Sequence, residues 1–255
     1  MSPSYSGTQN KTKTSLSHFI FGDRKVINIV LILIAIDLFF IIVHGFKFVF
    51  KEDFKALFGP WVYDQFKINR DWSFPEIFNY LKFLLITYLL YRTFAVIRQP
   101  VYMAWAFVYM VALLDDSLQG HEIFGDYVSN MIGSITLFGI ELDKEEGFRT
   151  KDVGELIAFA TYGAVFAMVL AFGFLRSQAL HRRIGLGFAI LLGVLAFFAV
   201  VVDMLDRLIV SGTLRKLVVT VEDGGEMLAV SLTVALALIV YRRYGTKASR
   251  SNSAP

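Results

Sequence analysis

The chain has 255 residues, 56% of them hydrophobic and only 18% charged, with a mean hydropathy of +0.57; it is too apolar for an ordinary water-soluble domain. Its net charge of +3 is small, and its basic residues flank apolar runs instead of forming a stripe, so nucleic-acid binding is not expected. Without cysteine it has no disulfide, thiolate metal ligand or thiol redox pair.

Residues 1–21, rich in Ser, Thr and Lys, are predicted to form a disordered cytoplasmic tail. The first apolar run, residues 26–46, follows Arg24-Lys25 and has about the ~20 residues that cross a bilayer. It lacks a small-residue cleavage site, so it reads as a membrane helix and not a signal peptide. Residues 47–74 are mixed and aromatic, with Trp61, Tyr63, Phe66 and Trp72, and suit the headgroup layer. Ser73-Phe74-Pro75-Glu76 reads as a capping box that starts a second helix running to about residue 97.

Pro100 punctuates a tight turn before a third helix over residues 101–120. Residues 123–149, amphipathic and ending in a charged loop at 143–149, are expected along the surface. Asp152-Val153-Gly154-Glu155 can cap a fourth helix that ends at Leu175. A basic turn at 176–183 leads to a fifth helix at 184–210, then a sixth at 214–241, with a disordered basic tail over 244–255. The expected fold is all-α: one polytopic membrane bundle over residues 22–243, with six transmembrane helices and interfacial amphipathic segments on its outer side. The short turns at 92–98 and 176–183 carry only basic charges, as do Arg24-Lys25 and Arg242-Arg243. By the positive-inside rule both termini are cytoplasmic, in a plasma (inner) membrane.

The acidic residues decide what such a bundle could do. Asp37, Asp115, Asp116, Glu155, Asp203, Asp206, Glu222, Asp223 and Glu226 lie inside or beside the six runs, and Glu122 lies just past the third. In this topology all of them fall in the outward half of their helices, together with His44 and His121. Glu222 and Glu226 are four apart and Asp203 and Asp206 three apart, so each pair shares a helix face. Asp37 and His44, like Asp115 and Glu122, are seven apart, on one stripe roughly 10 Å long. Gly224-Gly225 allow another backbone close to the sixth helix. Only Lys82 and Arg207 are basic in the same layer.

Burying an unpaired carboxylate costs several kcal/mol or forces it to bind a proton. Two cations cannot neutralise nine anions, so metal, protons or a water-filled vestibule must supply the balance. Imidazole with several carboxylates is a hard ligand set suited to divalent Fe, Mn, Zn or Mg. The expected metal ligands are Asp37, His44, Asp115, Asp116, His121, Glu122, Glu155, Glu222, Asp223 and Glu226. Asp203 and Asp206 are the expected catalytic residues, as general base or further ligand. Blander readings stand beside these: Glu155 as part of a helix cap, Asp203, Asp206 and Arg207 as a helix-end ion pair, and His44 as an interfacial side chain.

The run Asp115-Asp116-Ser117-Leu118-Gln119-Gly120-His121-Glu122-Ile123-Phe124-Gly125 resembles a pattern, acid-acid-x4-His-Glu-x2-Gly, of uncharacterised bacterial polytopic membrane proteins. The resemblance covers eleven residues and implies no activity. Glu-x-x-His and His-Glu-x-x-His are absent, and two outward histidines exclude a three-His zinc site. The expected function is a membrane metalloprotein, such as a metal-dependent hydrolase or oxidase, acting on a lipid or small molecule at the outer leaflet. The first alternative is a cation or proton transporter using the same acidic vestibule, opposed by the nearly unbroken apolar inward halves of the last three helices. The second is a non-catalytic subunit with a structural metal site.

Overall fold

The computed structural model describes residues 23–132, 135–137, 140–142, 150–208 and 212–246. The expected tail over 1–21, the loop at 143–149 and residues 247–255 of the tail expected over 244–255 lie outside the described residues, whereas Tyr244 and Gly245 are helical.

Helix α1 (Arg24–Val49) and the kinked α2 (Lys51–Gln65) precede α3 (Phe74–Ile97), α4 (Pro100–Leu118) and α5 (Gly120–Ile132). Strands β1 (Ile135–Leu137) and β2 (Ile140–Leu142) follow, then α6 (Thr150–Leu175) and α7 (Ala179–Ala196). A π-helical turn, Phe197–Val202, carries α7 into α8 (Asp203–Leu208), and α9 (Gly212–Val240) ends the described bundle with a second π turn at Tyr241–Gly245. Among the described residues, six stretches are long and apolar enough to cross a bilayer: Arg24–Lys47, Phe74–Ile97, Pro100–Leu118, Thr150–Leu175, Ala179–Leu205 and Leu214–Gly245.

The distribution of polarity in α1 is inside out. Ile32, Phe39 and Ile42 are 59%, 51% and 67% exposed, whereas Val26, Asp37, His44 and Lys47 are buried against the bundle. In water this arrangement would expose apolar surface and bury charge at once, both unfavourable. In hydrocarbon the outward residues are at home and the polar ones find their partners inside. The core proper is a packed knot from α3, α4, α7 and α9, built on Ile86, Leu90, Tyr102, Trp105, Tyr109, Phe188, Val230 and Val234. Trp105, Tyr109 and Phe188 contribute two tilted aromatic pairs and one edge-on pair, 5.9–6.5 Å apart.

The structure departs from the sequence expectation in three local places. Ser73 does stand at the N-cap of α3, with extended backbone, but its hydroxyl makes no cap hydrogen bond. Instead the Glu76 carboxylate accepts from the N–H of Trp72, one residue before the cap, and the Ser73 N–H goes to the Arg70 carbonyl, so neither bond of the reciprocal box forms. The expected basic turn at 176–183 shrinks, because Gln178 is already the extended N-cap residue and α7 begins at Ala179. Helix α6 starts at Thr150, three residues earlier than a cap at Asp152 requires, which carries Asp152 and Glu155 into its buried first turns. Among the described residues the bundle also carries one short antiparallel pair, Ile135↔Leu142 to Leu137↔Ile140, whose β-branched Ile and Thr residues favour a pleated strand over a helix.

Candidate functional site

The site grows from the corner between α4 and α5. Gln119 adopts a left-handed conformation (φ 54°) that breaks the helix, and Asp115 caps the one that follows. Its carboxylate accepts from the backbone N–H of His121 at 2.8 Å and pairs with the His121 Nδ1 at 2.9 Å. A third donor, the Tyr162 hydroxyl from α6, reaches it at 2.9 Å. The spacing Asp115-x5-His121 is therefore that of a capped corner, in which an orphan helix donor meets a carboxylate. The Gly125 of the same motif has an equally concrete role. A Cβ on Gly154 would lie 2.8 Å from the Gly125 Cα, so α5 and α6 cross backbone to backbone. That crossing brings Lys151 to Glu122 at 3.1 Å, while Glu155, one turn further along α6, lies 3.7 Å from the same ammonium.

Outside the candidate spans the electrostatics follow from these contacts. Burial works against a charged His121. The hydrogen bond and charge of Asp115, with the charges of Glu155 and Glu122, outweigh that burial and hold the imidazolium above its ordinary pKa. Asp71 accepts a hydrogen bond from Gln119, yet burial and the nearby Glu122 leave its carboxyl above the usual carboxylate range.

Opposite this corner, the π turn delivers Ala199, Val200 and Asp203, and α9 delivers Glu222, Asp223 and Glu226. A Cβ on Gly225 would run into the Phe198 ring, so the glycine lets the π turn seat against α9. π turns often mark functional positions because they rotate the following residues out of α-helical register. Between the two walls lies a cavity of about 710 Å³, within the range of small-molecule sites. Its lining combines Asp115, Asp116, Glu122 and Glu155 with Asp203, Glu222, Asp223 and Glu226, and adds Asp71 and Glu76 from the chain leading into α3. The cations on the lining are Arg70 and Lys151, with His121. Towards the middle of the bundle the lining turns apolar, with Phe83, Val111, Phe166, Leu192 and Leu195. Asn79 also lines the cavity; it is 8% exposed and its buried carboxamide oxygen has no hydrogen-bond partner among the described residues. Among the described residues, the charged groups that act most on Glu226 are Asp223, Asp116, Glu222 and Asp203, all of its own sign.

Two expected ligands sit elsewhere. Asp37 is fully buried and paired with Lys82 Nζ at 2.8 Å, while the Ser231 hydroxyl donates to its other oxygen. His44 Nδ1 accepts the N–H of Ile68 at 3.1 Å, which ties α1 to the chain after α2. Both lie on the inward stripe of α1, but that stripe meets α3, α9 and the 66–73 segment and does not reach the cavity lining. Asp206 and Arg207 fall in α8, with side chains outside the described set. Among the described residues, no three His, Asp or Glu side chains come close enough together to hold a metal ion.

The chain belongs to the family described as Domain of unknown function (DUF8692). The match spans residues 62–240. No curated protein and no solved structure matches the chain. The matched span of this DUF8692 member holds every residue of the cavity lining, from Ile68 to Met227, and excludes Asp37 and His44 on α1. Sequence reasoning missed Asp71, Glu76, Asn79, Arg70 and Lys151 on that lining. Asp71 and Arg70 sit in an aromatic stretch that reads as interfacial, and Glu76 reads as a cap. Lys151 was legible as the i, i+4 partner of Glu155.

The corner makes a pH prediction. Because the folded His121 pKa is raised, its ion pair with Asp115 contributes in full below the ordinary imidazole value of 6.5. The contribution disappears as pH rises through the raised value. In Asp115→Asn the His121 resonances, followed by NMR of imidazole-labelled protein, are expected to titrate at lower pH than in wild type. An unchanged titration would show that Asp115 does not hold the proton.

Proposed function

We propose that the chain is a multi-pass protein of the inner membrane whose interhelical cavity binds a cationic amphiphile, an amine-bearing lipid or small molecule. The acidic wall holds the charged group and the apolar floor takes the hydrocarbon part. The observation that carries this reading is the composition of one cavity lining among the described residues: ten carboxylates against Arg70, Lys151 and His121 at one end, and Phe83, Phe166, Leu192 and Leu195 at the other. An excess of buried anions is stabilised by a bound cation, and a cavity of this volume accommodates more than a bare ion. The inside-out polarity of α1 supports insertion. The basic residues Arg92, Arg98, Arg176, Arg182 and Arg183, at the opposite end of the bundle from the acid, favour cytoplasmic termini and a cavity opening outward. Directly beyond the floor, Ile86, Tyr109, Phe188 and Val230 are packed shut, which speaks against a through-path for ions.

A second reading has its own support. Glu226 has four like-charged neighbours on α4, α8 and α9, and a divalent Fe, Mn, Zn or Mg ion would relieve that repulsion once the side chains converged. Such a metal would serve a hydrolase or oxidase, or a purely structural site.

One experiment separates the readings. Thermal unfolding of purified protein in nanodiscs is measured with a long-chain amine, with the alcohol of the same chain length, and with Mn²⁺ or Zn²⁺. The amine is expected to raise the midpoint of wild type and to have little effect on Glu226→Gln, while the alcohol does nothing. Equal stabilisation by amine and alcohol would sink the cationic reading. Stoichiometric metal in wild type that is lost in Glu222→Ala would favour the second.

A further inference from the structure

Beside the acidic cavity, the same end of the bundle holds a second cluster of opposite sign. Helix α2 bends at Gly59 (φ 82°) ahead of Pro60, and the bend brings Tyr63 back against the end of α1. Three ammonium groups surround that ring. Lys47 Nζ lies 4.3 Å from its centroid, Lys55 Nζ 5.0 Å and Lys67 Nζ 5.4 Å. Lys47 is only 2% exposed, and its Nζ has no hydrogen-bond partner among the described residues. An aromatic face compensates an ammonium only in part, and three like charges around one ring also repel each other. The nearby carboxylate, Asp64, is already taken by Lys67 at 2.7 Å and Arg70 at 3.2 Å. The cluster is short of an anion.

The placement says which anion. The hydrogen bond from Ile68 to His44 fixes the 66–73 segment against α1, so Lys67 is held close to Lys47. Lys55 and Lys67 are half-buried and reachable from outside, while Leu57, Phe58 and Trp61 of the same helix are 77%, 57% and 65% exposed. Exposed apolar and aromatic residues beside lysines fit the boundary between acyl chains and headgroups, the level at which lipid phosphates lie.

We propose that Lys55 and Lys67 bind the phosphate group of an anionic lipid headgroup, with Tyr63 holding the ammonium groups in position and the buried Lys47 adding its charge from beside the ring. The proposal rests on membrane insertion of the bundle but not on the cationic ligand of the cavity. The test is native mass spectrometry and fluorescence titration of the full chain in nanodiscs containing phosphatidic acid or only phosphatidylcholine. Phosphatidic acid is expected to bind wild type, with affinity reduced about tenfold for each lysine neutralised in Lys55→Gln and Lys67→Gln. Lys51→Gln, an equal charge change on the exposed first turn of α2, is expected to leave binding unchanged. Lys47→Met is read only alongside these, since it alters a buried position. Equal loss in Lys51→Gln, no loss in the Lys55→Gln/Lys67→Gln pair, or inorganic phosphate displacing the lipid at equal concentration would each overturn the lipid assignment. Amine stabilisation through Glu226 is recorded in the same nanodiscs, so a failed cavity reading would show up separately.

Discussion

Lys82→Met is expected to destabilise the protein by about 3–5 kcal/mol, the range found when one member of a buried ion pair is removed. Lys82 is 2% exposed, and its ammonium spends its donors on Asp37 at 2.8 Å, the Met227 carbonyl at 2.8 Å and the Ser231 hydroxyl at 3.2 Å. It thereby joins α1, α3 and α9 at a single point. Without it, the fully buried Asp37 keeps only the Ser231 hydroxyl and must either bear an uncompensated charge or bind a proton. The double variant Asp37→Leu/Lys82→Met removes both charges and is expected to recover most of the loss, because apolar replacement of a whole buried pair is close to neutral. Thermal or denaturant unfolding in a single detergent measures both. If the double variant is as unstable as Lys82→Met, the loss comes from packing and the pair is not what holds α1.

Gly154→Val is expected to be the most damaging single change at the cavity wall. Its new Cβ would sit 2.8 Å from the Gly125 Cα and 3.0 Å from the Gly125 carbonyl oxygen, backbone atoms that no rotamer change can move aside. Overpacking of this kind typically costs about 1–3 kcal/mol, and more where the backbone is the obstacle. Spreading α5 from α6 would also pull Lys151 away from Glu122, so the wall loses its main cation as the crossing opens. The amine response of the cavity is expected to weaken together with the unfolding midpoint. Gly193→Ala, on α7 and off the cavity lining, with nothing within 4 Å of the new Cβ, is the control and should leave both unchanged. A Gly154→Val protein with wild-type stability would mean that the crossing does not constrain α5.

The sequence alone determined a good deal. Six apolar stretches of bilayer length were legible because hydrophobicity summed over some twenty residues is a local property, independent of what each helix packs against. The collection of acid at one end followed from the same count, since helices that alternate in direction bring known ends together. The run from Asp115 to Gly125 was legible as a unit, although its spacing encodes a capped corner and a close helix crossing as much as any ligand set.

Partnership was decided by the tertiary structure. Asp37 stands alone in its apolar run and Glu226 shares a turn with Glu222 and Asp223, but neither setting names what the carboxylate meets across the bundle. The first meets Lys82, 45 residues away, while the second faces carboxylates of its own sign across a cavity. Lys47 is the converse case, an unremarkable lysine at the end of an apolar run until the Gly59 bend folds Tyr63 beneath it. Whether a charge is satisfied depends on distances of a few ångströms between residues remote in the chain, because electrostatic energy in a poorly polarisable interior falls with separation in space and is blind to separation in sequence.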